Sequence, residues 1–379
     1  MADVVVVGAG PVGLLLAGEL TRRGVDVEVL EQRASASSGS RAIGVHPPAL
    51  AALEAGGVTE RLLGDATRVK RGEARSGDRL LGVVRFDRIP ARFPFVATLP
   101  QSATEAALAA RTPAPVRGSR VTAVLPRGDR VLVRSSVDGR TVEREPRIVV
   151  VATGAGGRDL VFRQSAARVH AYPDRYVMAD AAAPGPPDVA VVHLDAGGVL
   201  ESFPLPGGRR RFVASDAADA DPEPGARLTR LRAAVAARGL DTTDITAATG
   251  FGVRRFVAPR LRNERVLVIG DAAHEVSPIG GQGMNLGFLD AATLAPLLAE
   301  WMHAGIAPDA GLARWERRRV ASARTAARLA AANTAVGRSL GRADAVRRGG
   351  VRAMLAPPLR PVLARTYAMG LDRDARSFG

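Results

Sequence analysis

The first apolar run, Val4 to Val7, places valine at four successive positions, and a glycine cluster, Gly8-Ala9-Gly10-Pro11-Val12-Gly13, follows at once. Apolar side chains at every position, rather than every second one, suit a strand covered on both faces of a parallel sheet. The pattern that follows predicts a helix from about Pro11 to Arg23, stopped by Gly24. A second strand, Val25 to Leu30, then delivers Glu31 and completes a β-α-β unit.

Further on, Ser102 to Ala110 reads as helix. Val121 to Val124, Arg130 to Ser135 and Thr141 to Glu143 read as short strands, with the turn Asp138-Gly139 between the last two. Ile148 to Ala152 is another buried strand, ending at a loop, Thr153 to Gly157. The middle of the chain changes character. Val189 to Leu194, Val199 to Phe203 and Arg210 to Ala214 are strand-like, and Asp195-Ala196-Gly197-Gly198 and Pro206-Gly207-Gly208 separate them as in an antiparallel meander. Ala181 to Pro187 and Asp216 to Pro224 read as loops, and Leu228 to Arg238 as a helix ended by Gly239. A strand precedes Gly270, and everything from Asn285 onward reads as helix. Within that stretch Ala323 to Ala332 and Val351 to Leu363 are amphipathic and are expected to pack with their arginines outward, not to lie on a membrane.

The expected fold is α/β: a discontinuous Rossmann-like domain (1–70, 101–165 and 255–309), an inserted antiparallel-sheet substrate domain (71–100 and 166–254) and a C-terminal helical region (310–379). Such an insertion places a ligand where the two domains meet.

Composition narrows the function classes. A chain of 379 residues with 46% hydrophobic content can bury a large core. No apolar run approaches the ~20 residues that span a bilayer. A strand begins at Asp3 with no basic region before it, so no signal peptide and a cytoplasmic location are expected. Without cysteine there are no disulfides, thiolate metal sites or cysteine nucleophiles. The five histidines, 46, 170, 193, 274 and 303, lack ligand spacing, so no metal is expected. The formal charge is +15 with Lys70 as the only lysine. The arginines are dispersed and aromatics scarce, which disfavours nucleic acid as a partner, while a positive field suits anionic ligands such as a phosphorylated nicotinamide cofactor. A monomer or homodimer is expected.

The chemistry sits in two glycine-rich turns. In Gly8-x-Gly10-x-x-Gly13 the first glycine makes the tight turn, the second lets a pyrophosphate approach the backbone, and the third lets helix pack on strand. Pro11 and Val12 open the helix whose amino terminus offers N–H groups to phosphate. Glu31, eighteen positions after Gly13, can accept hydrogen bonds from ribose hydroxyls, with Gln32 and Arg33 beside it. The second turn lies in Arg265 to Asp290, RVLVIGDAAHEVSPIGGQGMNLGFLD. Asp271 at the strand end can hold a ribityl hydroxyl, and Pro278 to Asn285, with Gly281, Gly283 and Met284, can wrap backbone amides around the pyrimidine edge of an isoalloxazine. A helix starting near Asn285 would aim its positive end at the part of the ring that becomes negative on reduction. Gly270 completes this half of the site.

With these motifs, and with Ser40-Arg41-Ala42, His46-Pro47, Leu99-Pro100-Gln101, Glu105 and Phe203-Pro204-Leu205-Pro206-Gly207-Gly208, the chain resembles the single-component FAD-dependent monooxygenases of the para-hydroxybenzoate hydroxylase type. The resemblance implies a glutathione-reductase-type FAD domain, flavin contacts by Arg41 and Gln101, and a middle module that binds substrate. Val124 and Gly154 complete the expected flavin set. The thioredoxin-like extension of some relatives is expected to be absent. One departure stands out: where the family carries an Asp-Gly pair, this chain has Gly156-Gly157, and the missing acid is tied to nicotinamide use, with Asp159 as a nearby substitute.

The resemblance further implies that NAD(P)H reduces the flavin, that O2 adds at C4a, and that the resulting hydroperoxide hydroxylates or epoxidises an aromatic or polyketide-like small molecule in a dry cavity. Candidate catalytic residues are His193, Arg211 and Pro278, with His193 either assisting deprotonation of a phenol or serving as a hydrogen-bonded structural residue, and with Glu201, Phe203, Tyr172 and Tyr176 as further wall positions. The alternatives are a flavin-binding protein that shields, oxidises or reduces an intermediate without inserting oxygen, and a reductase acting on a polyprenyl chain. A flavin-dependent halogenase is disfavoured: Trp301 and Trp315 stand in no W-x-W-x-I-P segment, and Lys70 has no motif around it.

Overall fold

A computed structural model of the chain describes residues 2–35, 42–163, 165, 167–338 and 344–378. The four valines do form the central strand. Val4–Val7 pairs in parallel with Ile148–Val151 on one side and Val27–Glu31 on the other, with every valine at most 3% exposed. Val266–Val268 and Val116–Arg117 extend this sheet, and Arg262–Asn263 adds a short antiparallel edge. The helix Pro11–Arg22 buries Leu14, Leu15, Leu16 and Leu20 against it. The helix Gly283–Ala304 packs alongside and puts eight buried apolar residues, from Phe288 to Met302, into the same core. A three-stranded meander, Arg120–Arg127, Arg130–Val137 and Arg140–Arg144, turns at Asp138 and Gly139, both at positive φ.

The second large sheet has eight strands. In order they are His274–Glu275, Thr249–Val257, His170–Ala182, Arg209–Asp216, Gly198–Leu205, Val189–Asp195, Arg71–Ser76 and Arg79–Arg85. One face, carrying Val177, Leu200, Phe212 and Ala214, packs on the helix Pro224–Ala236. The other face looks toward the parallel sheet and the C-terminal helices.

Several elements differ from expectation. His170–Ala182 is a thirteen-residue strand that overruns the expected loop at Ala181. The stretch Gly154–Leu160 coils as a 3-10 helix instead of running as a plain loop. Val351 to Leu363 is not one helix. Asp344–Met354 and Arg360–Tyr367 are separated at Pro357-Pro358, because two prolines remove successive backbone donors and clash with the preceding turn. The long helix Asp309–Gly337 buries Ala326, Ala327 and Ala330. Among the described residues no helix is long and apolar enough to cross a membrane.

Candidate functional site

A cleft of about 1490 Å³ opens at the carboxyl ends of the parallel strands. One wall brings together Gly8, Gly10, Pro11, Val12, Glu31, Gln32, Arg33, Gln101, Gly154, Gly270, Asp271 and Met284 from six separate segments. The opposite wall comes from the eight-stranded sheet and its approach: Met178, Asp180, Arg211, Phe251 and Arg254.

The glycine turn has the shape that a pyrophosphate needs. A Cβ on Gly13 would lie 2.0 Å from the Gly8 carbonyl oxygen, so helix and turn touch at backbone distance. A Cβ on Gly10 would meet nothing within 4 Å, so the approach from the cleft is open. The helix Pro11–Arg22 has no side chain capping its amino terminus, and neither has Gly283–Ala304. First-turn N–H groups are therefore left for a ligand, and the helix dipoles favour an anionic one. These uncapped amides beside an open backbone fit the phosphates and electron-rich ring of a flavin dinucleotide.

Glu31, 4% exposed, accepts hydrogen bonds from the Ala9 and Arg33 amides, both at 2.8 Å, and from Arg33 Nε at 3.1 Å. Burial pushes its carboxyl up, but these bonds outweigh it and hold the group below its ordinary value, an ionised acceptor. Asn285 is fully buried: its Nδ2 donates to the carbonyls of Gly44 (2.8 Å) and Gly281 (2.9 Å), and its Oδ1 accepts the His46 amide at 2.8 Å. Its side chain thus pins the flavin-side loop to the segment before His46. The helix itself begins at Gly283, two residues before the expected start.

The remaining expected residues are placed as follows. Gly13, Val124, Pro278, Gly281 and Gly283 are not among the cleft-lining residues. Val124 packs in the main core, and the Pro278 carbonyl accepts the Gly281 amide at 2.9 Å. Arg41, with Ser40, lies outside the described residues. Arg211 lines the cleft and makes a bidentate pair with Asp180, Nε–Oδ1 2.6 Å and Nη2–Oδ2 2.7 Å. His193 pairs across the sheet with Leu200, so the pleat sends it to the face under the helix Pro224–Ala236, away from Arg211. Burial and then Arg238 lower its pKa.

Two clusters escaped sequence reasoning. Arg158 donates to the Asp271 carbonyl (2.7 Å) and to Glu275 (2.8 Å), lies over the Phe256 ring at 4.4 Å, and shares Glu275 with Arg254. Deeper, Asp290 is wholly buried. It accepts the Gly270 amide at 3.0 Å, faces His274 Nε2 at 2.6 Å, and pairs with Arg319 Nε at 2.7 Å. Arg319 in turn reaches Asp372 (2.8 Å), Asp374 (3.1 Å) and the Leu286 carbonyl (3.0 Å). Burial alone would raise the Asp290 carboxyl, yet His274 and Arg319 hold it at about 2. The only sequence signal for this cluster was that Asp290 closes the second motif.

Two buried groups give stability opposite pH slopes. Burial pushes Glu201, 7% exposed, from 4.5 up to about 7. Its contribution is full below pH 4.5 and is lost as pH rises through 7, worth about 3 kcal/mol at 1.36 kcal/mol per unit. Burial pushes His46 from 6.5 down to about 4, so its contribution is present above pH 6.5 and is lost as pH falls through 4. Subtracting the stability curve of Glu201→Gln from that of the unaltered protein, by urea denaturation from pH 4.5 to 8, isolates the first slope. A flat difference would contradict the burial assigned to Glu201.

Comparison with known proteins agrees with this geometry. The family model described as "FAD binding domain" matches residues 1–330. The chain is 34% identical over 320 residues to 6-methylpretetramide 4-monooxygenase of Streptomyces rimosus, covering 79% of this chain but only 56% of that protein. It is 31% identical over 337 residues to a rifampicin monooxygenase of Rhodococcus hoagii, covering 84% and 68%. Among solved structures, anhydrotetracycline hydroxylase from Streptomyces rimosus superposes with a TM-score of 0.79 at 29% identity, covering 98% of this chain and 76% of that one. The p-nitrophenol 4-monooxygenase of Pseudomonas putida DLL-E4 shares the fold at a TM-score of 0.86 and 22% identity, covering 98% and 99%. With the glycine turn, Glu31 and the Gly270-Asp271 loop gathered on one cleft wall, and a family match running through the first 330 residues, this chain belongs to the FAD-binding-domain family.

Proposed function

We propose that the chain is an FAD-dependent monooxygenase that uses NAD(P)H and O2 to hydroxylate or epoxidise an aromatic or polyketide-like small molecule. The observation that carries the reading is the two-walled cleft, with uncapped helix amino termini and Glu31 on one side and a sheet surface on the other. In this reading residues 1–70, 101–165 and 255–309 hold the flavin, 71–100 and 166–254 hold the substrate, and 310–379 brace both. Bound FAD would supply hydride acceptance from a nicotinamide and activation of oxygen. The chain's part is positioning. The Val12 and Gly13 amides hold pyrophosphate, Glu31 takes the ribose hydroxyls, Asp271 takes the ribityl chain, and the turn at Gly283-Met284 presents its amides to the ring's pyrimidine edge. Met178 and Phe251 on the opposite wall exclude water, and the Asp180–Arg211 pair ties two neighbouring interior strands of the sheet together there. The named oxygenases of tetracycline-type and rifampicin substrates support the substrate class.

The test is NAD(P)H consumption under air by the FAD-loaded protein with phenolic polyketide-like compounds. Substrate-stimulated oxidation and a product heavier by one oxygen are expected. A second reading, a flavin protein that shields an intermediate, draws on Gly156: a Cβ there would meet nothing within 4 Å, so the family's acid is missing although there is room for it. Asp159 lines the same cleft and stands in for it in the oxygenase reading. Bound flavin that no nicotinamide reduces would favour the second reading.

A further inference from the structure

Glu201 is a buried carboxyl that no hydrogen bond to a described residue explains. Cross-strand register sets Met178, Val213, Glu201 and Val192 in one row of the eight-stranded sheet, and Asp180, Arg211 and Phe203 in a row two residues along. The pleat therefore puts Glu201 on the face of Met178 and Arg211, both of which line the cleft; Glu201 itself lies deeper along that face, two strands from Met178 and outside the cleft lining. Around that face the sheet's Phe203 and Tyr176 gather with Ile279 of the flavin-side loop and with Val336, Leu363 and Tyr367 of the C-terminal helices. Burial first, and then the Glu201 charge, push the hydroxyls of Tyr176 and Tyr367 up, away from ionisation.

An acid among apolar side chains costs stability that a leucine would not. Its presence is accounted for by a donor that arrives from outside. Resting on the oxygenase reading above, we propose that Glu201 accepts a hydrogen bond from, and then the proton of, a phenolic or enolic hydroxyl of the substrate. The substrate O–H bond breaks and a Glu201 Oε–H bond forms. The electron pair stays on the substrate oxygen, enriching the ring that is to be oxygenated, and the proton returns to the product oxygen before release. No electrons are exchanged in this step. The substrate class is a hydroxylated ring, not a purely apolar polyprenyl chain.

The experiment titrates the FAD-loaded full chain with 2-naphthol and with its methyl ether, 2-methoxynaphthalene, following flavin fluorescence for affinity and the naphtholate absorbance band for proton transfer. Naphthol should bind about tenfold or more tightly than the ether, the scale of one satisfied buried polar group. In Glu201→Leu that ratio should fall to about one while FAD content is kept and the melting temperature rises. In Glu201→Gln the naphtholate band should disappear while part of the affinity survives, a split that a structural role would not produce. No naphthol binding, a wild-type ratio near one, or a ratio that persists in Glu201→Leu overturns the assignment. Because the readout is binding and proton state, a protein that binds naphthol in this way but inserts no oxygen would sink the oxygenase reading alone.

Discussion

Gly13→Ala is expected to yield a protein that retains little or no FAD. The added methyl would sit 2.0 Å from the Gly8 oxygen and 3.2 Å from its carbon, both backbone atoms. Gly8 cannot retreat, since at φ +110 its own Cβ position is already 2.5 Å from the Ala152 oxygen of the next strand. The helix Pro11–Arg22 must therefore lift off the turn, carrying Leu14, Leu15 and Leu16 out of register with the core. Overpacking of this kind costs about 1–3 kcal/mol or more, and it also moves the first-turn amides away from the phosphates. Gly10→Ala is the matched control. Its methyl enters open space at an ordinary φ of −76, so the melting temperature should hold while FAD affinity falls. Flavin absorbance per protein after gel filtration, with thermal melts, checks both. Normal FAD retention by Gly13→Ala would break the link between the glycine turn and the cofactor.

The second large effect is expected at Arg319. Replacing it with methionine would leave Asp290, Asp372 and Asp374 facing one another without the cation that joins them. Removing one partner from a buried ion pair typically costs about 3–5 kcal/mol, because the remaining charge stays desolvated. Asp290 also holds the Gly270 amide, so the loss should propagate to Asp271 on the cleft wall and weaken FAD binding. Arg319→Lys should recover little, since an ammonium cannot reproduce the fork that reaches three carboxylates and the Leu286 carbonyl together. Adding Asp290→Asn to Arg319→Met should cost less than the sum of the single changes, as expected for groups sharing one network. Urea denaturation supplies all four stabilities. Full additivity, or an Arg319→Met protein as stable as the parent, would show that the network is not coupled.

Much of the architecture was legible because it is written locally. The valine run, the Asp138-Gly139 turn and the Gly207-Gly208 hairpin announce themselves within a few residues, since buried strands and tight turns demand particular side chains in place. His170–Ala182 was missed as a strand because its sequence mixes charge, proline and aromatics without alternation. A register shift between Ala171 and Arg175, around Pro173, accounts for the broken pattern. Arg71–Ser76 carries almost no apolar signal and is a strand because Val189–Asp195 offers it a partner edge. The break at Pro357-Pro358 was readable, but the amphipathic pattern of Val351 to Leu363 masked it.

What the residues determined unaided is the cofactor half of the molecule: two glycine turns, each beside a strand end and a helix start, an acid at ribose distance, and hence the FAD-binding family. What only the tertiary structure decided is which distant side chains meet. Arg319 closing on Asp290 and Asp374, Arg158 on Asp271 and Glu275, and the turning of His193 to the face under the helix Pro224–Ala236 while Glu201 takes the face of Met178 and Arg211 all depend on packing and strand register. Turn and helix chemistry acts over a few residues and can be read from them. A one-residue change of register, by contrast, reverses every side chain on a strand, and no short stretch of sequence carries that information.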